Sequence, residues 1–168
     1  MNDTPPELIA WRVWQVGWHA REGGLRLVSL ARPCIWDGPV LRADVPPARD
    51  NRAGIYAIKG CPRAVRRMWD CPLWVTGWVA LSGRVVEHEL GYRAERAVVR
   101  RLRLGVEAHR AALPVEAIRR FRSELEWRYQ APVKLGIVER RIAARVAEPH
   151  RWYGDVPVID PECGWVYR

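Results

Sequence analysis

Glu87, His88, Glu89, Tyr92, Arg93 and Glu95 crowd one short stretch of the chain. An imidazole beside carboxylates is the pairing of a general base with the acid that orients it. On a strand, Glu87 and Glu89 point away from His88, so only one side of a turn there can assemble a site. The spacing is not that of a two-histidine zinc helix, because Tyr92 stands where the second histidine belongs. Three readings of the cluster are open: an enzyme working at the His88 turn, a salt-bridged hairpin tip that fixes strand register, and a ligand or partner contact. No catalytic signature and no cofactor motif accompany it. A non-enzymatic role without a cofactor is the expectation.

A second constellation is aromatic. In the stretch 73–88, LWVTGWVALSGRVVEH, the even positions include Trp74, Thr76, Trp78, Arg84 and His88, and the odd ones through Val85 are Leu, Val or Gly. If the odd face fills the core, the two tryptophans lie about 13 Å apart on the other face. Two helices packed over them would make them core residues. Left open, they form an aromatic groove flanked by arginine, able to stack a base or a flipped nucleotide. Small modified-base readers of the PUA, EVE and YTH type are Trp-rich barrels with such pockets, an analogy of architecture only. The candidate binding residues are Trp74, Trp78, Arg84, His88, Tyr92 and Arg93, with Arg119, Arg120, Arg140 and Arg141 from the two helices described below.

Charge supports a polyanionic partner. The 28 basic residues exceed the 19 acidic ones, for a formal net charge of +9, and the pI is near 10.1. Only Lys59 and Lys134 are lysine; the rest are arginine, whose planar fork grips phosphate and stacks on aromatics. A GC-rich codon bias accounts for arginine over lysine but not for the excess over acids. Such an excess attracts nucleic acid, DNA or RNA, or an acidic protein surface. The ten tryptophans, against Phe121 as the one phenylalanine, are too many for one small domain to expose together.

Cys34, Cys61, Cys71 and Cys163 form no close ligand pair, so free buried thiols are expected and a metal site is not. No apolar run has the length of a membrane span, and the first residues carry neither the basic nor the apolar region of a signal peptide. A cytoplasmic protein without a membrane contact is the corresponding expectation.

The elements that position these residues follow from periodicity. With 49% hydrophobic residues, 168 residues suffice for one domain with a real core. Residues 9–16 and 25–30 predict strands around a Gly23-Gly24 turn, and 31–52 a long loop with a short strand near Val40–Val45. Residues 53–58 predict a buried strand, and 60–72 a single helical turn. The alternation over 73–88 predicts a long strand with a bend or bulge at Gly77 or Gly83. Residues 92–102 suit a helix or the second arm of a hairpin, and the hairpin is favoured. Ile118, Phe121, Leu125 and Tyr129 then follow at helical spacing after Pro114 until Pro132 stops them. Leu135, Val138, Ile142 and Val146 predict a second helix over 133–147, and 148–168 reads as an irregular aromatic tail. The expected fold is a single α+β domain, strand-rich over 9–104 and helical over 114–147. It would be a small bent antiparallel sheet or partly closed barrel followed by two C-terminal helices.

GIYA at Gly54–Ala57 and the block GWVALSGRVVEHELGYRAERA at Gly77–Ala97 resemble an uncharacterised family of small bacterial and phage proteins. That family shares a Gly-Ile-Tyr-Ala strand and a G-x-V-x-L-x-G-x-V-x-E-H-x-x-G-Y-R-A-E block. The resemblance spans residues 54–97, about a quarter of the chain, and implies the hairpin. In front of GIYA, residues 49–53 lack the cysteines such proteins often carry, so no metal or thiol role carries over. No catalytic residue does either. The leading expectation is a basic, Trp-rich, non-enzymatic nucleic-acid-binding module using arginine–phosphate contacts and an aromatic surface. The alternatives are a phage-encoded interaction factor docking an acidic protein, and an enzyme at His88.

Overall fold

The computed structural model describes residues 7–29, 34–59, 73–106, 115–135, 158–160 and 164–166. Its strands are β1 (Leu8–His19), β2 (Leu25–Ser29), β3 (Ile35–Trp36), β4 (Val40–Arg42), β5 (Ile55–Ile58), β6 (Leu73–Glu87), β7 (Gly91–Val106), β8 (Val133–Leu135), β9 (Val158–Asp160) and β10 (Gly164–Val166). One helix, α1 (Val115–Tyr129), lies between β7 and β8.

The β6/β7 hairpin is the spine of the sheet. Its odd-numbered β6 residues Val75, Val79 and Leu81 are buried, as the alternation requires. Two register shifts interrupt the ladder. Trp78 pairs with Arg101 but Val79 pairs with Val99, so Arg100 is an extra residue on β7. The second shift falls between Ser82 and Val85, where Gly83 has a φ of 73° and the Arg84 N–H donates to the Glu95 carboxylate at 3.0 Å. Such bulges bend and twist a ribbon, and here the bent ribbon lets the sheet return on itself. β6 pairs with β1, β1 touches β5 at Trp11 and Ile58, and β5 pairs with β7. The pairings therefore close a ring, β1–β6–β7–β5.

The β1–β5 seam of this ring has one residue pair, and Arg12 reinforces it. Arg12 shares the inward side of β1 with the buried Ala10, Trp14 and Val16. Its guanidinium donates to the Tyr56 carbonyl on β5 and, at 2.6 Å, to Ser29 Oγ on β2. It also stands 5.1 Å from the Trp36 ring centroid. Burial lowers its pKa to about 10, so it stays a cation at neutral pH.

Helix α1 packs against β2 and β8. Ile118, Phe121, Leu125 and Tyr129 are buried, the stripe that their spacing predicts. Glu116 in the first turn and Arg128 in the last suit the helix dipole. Gln130, at φ 48°, and then Pro132 end it. Tyr129 anchors the helix to the core: its hydroxyl accepts from the Leu27 N–H at 2.7 Å and donates to the Trp36 carbonyl at 2.5 Å. Burial pushes its pKa upward. Tyr129→Phe strands both partners, and a loss of about 1–3 kcal/mol is expected. The urea midpoint measures it, and an unchanged midpoint would show that the hydroxyl is dispensable.

The structure corrects the expected fold in several places. It is a sheet-rich α+β fold with one helix among the described residues, not two C-terminal ones. Where the second helix was to begin, Val133–Leu135 is a strand parallel to β7, and residues 136–147 lie outside the described set. The reason is a free sheet edge: Leu102–Leu104 needs hydrogen-bond partners, and α1 supplies the crossover that a parallel neighbour requires. Nor is the sheet wholly antiparallel, since β9 also runs parallel to β1. The tail is not wholly irregular, because it contributes β9 and β10. The loop after β2 holds β3 and a short β4, ending at Arg42 instead of Val45. The helical turn expected within 60–72 lies outside the described residues.

Candidate nucleic-acid interface

Strand register builds this site from the sequence upward. Cross-strand partners share a face of the sheet, and the pairing aligns Trp11 of β1 with Trp78 of β6 and Arg101 of β7. The next row on that face aligns Val13, Thr76, Arg103 and Lys134 of β8. Trp11 and Trp78 meet edge to face, with ring centroids 5.3 Å apart and planes at 79°. The Arg101 guanidinium lies 5.4 Å from the Trp78 centroid, a cation–π distance. Around them is a recess of about 200 Å³, lined by both indoles, Thr76, Gly77, Leu102 and the three cations.

Exposure divides the recess into floor and rim. Thr76 and Leu102 are buried, Trp11 and Arg101 half-buried, and Trp78, Arg103 and Lys134 exposed. Trp78 keeps 37% of its surface accessible. Gly77 lies opposite Leu102 in the β6/β7 ladder. A Cβ there would sit 2.3 Å from the Arg101 carbonyl oxygen. No carboxylate lines the recess, and among the described residues none pairs with Arg103 or Lys134. Chemically the surface offers an aromatic face for stacking and unspent N–H donors for an anion.

Of the residues singled out from the sequence, Trp78 belongs to this site and most others do not. Trp74 takes its place in the register opposite Gln15 and Gly105. Arg84 is exposed within the second bulge and does not line the recess. Arg119 and Arg120 are exposed on α1, also outside it. Arg140 and Arg141 lie outside the described residues.

His88, Tyr92 and Arg93 form a different assembly at the hairpin turn. Arg93 is buried, and its Nε–H donates to His88 Nε2 at 2.7 Å. Its other nitrogens donate to the carbonyls of Ala48 at 2.9 Å, Ala53 at 3.2 Å and Asn51. They clip the 48–53 loop to β7. Lys59 pairs with Glu87 at 2.5 Å and stands 5.2 Å from the Tyr92 ring centroid. These contacts join β5 to the turn and hold the register. None of them sets a carboxylate against the His88 ring, as a general base would require.

Residues capable of holding a metal occur elsewhere. Ligand atoms of His19, Glu22 and Asp37 lie within 4.8 Å of one another. Arg26 already occupies that carboxylate pair, 2.8 Å from Glu22 and 3.2 Å from Asp37. Cys34 is half-buried and free, and burial pushes its thiol pKa up, away from thiolate chemistry.

Four residues of the platform were not singled out from the sequence: Trp11, Arg101, Arg103 and Lys134. The signal for two of them is the Arg101-Leu102-Arg103-Leu104 alternation, a period-two pattern with one cationic face. Trp11 carries no local signal beyond being aromatic on a strand, and Lys134 falls where the apolar spacing predicts a helix. None of the described helices is long and apolar enough to cross a membrane. No family model, curated protein or solved structure matches this chain significantly.

Proposed function

We propose that this protein is a basic, non-enzymatic nucleic-acid-binding module that uses the Trp11–Trp78 face for stacking and its cationic flank for phosphate. The observation that carries the reading is the meeting of two indoles with Arg101, Arg103 and Lys134 in a recess without a carboxylate. A net charge of +9 adds long-range attraction to a polyanion.

Fluorescence anisotropy with labelled DNA and RNA across a salt series tests the proposal. Affinity should fall linearly with salt on a log–log plot. Trp78→Ala should cost about 1–3 kcal/mol of binding, the worth of one stacked base. A folded Trp78→Ala protein that binds as tightly as the parent would remove the stacking contribution. Absence of binding even at low salt would remove the proposal and leave the charge to an acidic protein partner.

A further inference from the structure

Resting on that reading, we infer that the platform takes one unpaired nucleotide, so that the protein selects single strands over duplex. The recess of about 200 Å³ has room for a single base. The indoles stand at 79° to each other and so make no parallel slot for a base-pair step. In a duplex the base faces are covered by their stacked neighbours, and only edges show in the grooves. An indole gains stacking contact only from a base whose face is free.

The placement of charge agrees. Arg101 and Arg103 are two residues apart on β7, roughly 6.7 Å, and Lys134 stands beside Arg103 one strand over, about 4.8 Å. All three lie on one side of the indoles. On the other side β1 puts Ile9, 45% exposed, and the half-buried Val13 and Gln15 on the same face, with no cation among them. A face with cations on one flank tracks one backbone. A duplex groove presents two.

The experiment compares, with the unaltered protein, four probes of equal length, about ten nucleotides: single-stranded DNA, the same sequence as RNA, its DNA duplex, and an abasic single strand. Tryptophan fluorescence is read alongside anisotropy. The expected result is at least about tenfold tighter binding of a base-bearing single strand than of either duplex or abasic strand. Quenching of tryptophan emission should accompany base-bearing strands alone. The two single-stranded arms separate DNA from RNA as the source of the nucleotide. Duplex binding equal to or tighter than single-strand binding would overturn the inference while nucleic-acid binding stands. So would an abasic strand that binds as well as its base-bearing counterpart. If no probe binds, the inference falls together with the proposed function.

Discussion

Gly77→Val is expected to prevent the native fold from forming at ordinary temperature. The added Cβ would meet the Arg101 carbonyl oxygen at 2.3 Å, Leu102 Cδ2 at 2.9 Å and Trp14 Cζ3 at 3.1 Å. The first of these neighbours is backbone in the middle of the β6/β7 ladder, and the other two side chains are buried. None has room to retreat. Relief requires parting the two longest strands next to the register shift at Trp78. Overpacking of well-filled sites costs about 1–3 kcal/mol and occasionally more; with backbone as the obstacle, about 3 kcal/mol or more is expected for Gly77→Ala and a larger loss for Gly77→Val. Domains of this size hold about 5–15 kcal/mol in total. Urea denaturation followed by circular dichroism reads the effect. A Gly77→Ala protein with the parent midpoint would show that this close approach does not limit stability.

Removing the three platform cations together, as Arg101→Ala, Arg103→Ala and Lys134→Ala, is expected to weaken single-strand binding about a hundredfold at 0.1 M salt. Each phosphate neutralised on a single strand contributes about 0.7 to the log–log salt slope. Losing three contacts should therefore flatten the slope by about 2. Arg103 and Lys134 are exposed and unpaired among the described residues, so their removal leaves no buried charge stranded. Arg119→Ala, at an exposed residue of α1 outside the recess, is the control and should keep nearly the parent affinity. Anisotropy titrations at several salt concentrations supply both numbers. A slope unchanged in the triple variant, or an equal loss from Arg119→Ala, would place the phosphate contacts elsewhere on the surface.

Both expectations depend on how strands meet, and that is where sequence and structure part. The alternation over β6 foretells the buried Val75, Val79 and Leu81, and the α1 spacing foretells the buried Ile118, Phe121, Leu125 and Tyr129. Each pattern lies within a few consecutive turns or pleats, so neighbouring residues encode it. Val133–Leu135 misleads for the opposite reason. Its apolar spacing continues as a helix, but an unsatisfied edge of β7 recruits it as a strand. Hydrogen bonds to residues some thirty positions earlier outweigh a weak local preference.

The candidate site divides in the same way. Trp78, its place on the face opposite Val75 and Val79, and the large positive charge are properties of the sequence alone. That Trp11 faces Trp78, that Arg101 stacks on it, and that Lys134 joins Arg103 are decisions of register. His88 and Arg93 show the reverse: their residue types advertise chemistry, yet tertiary contacts spend Arg93 on loop carbonyls and His88 on Arg93. Local periodicity told which residues turn inward, because a side chain's direction alternates along its own strand. Only the closed sheet chose which outward residues became neighbours, because pairing between distant segments is settled by hydrogen bonding and packing over the whole chain.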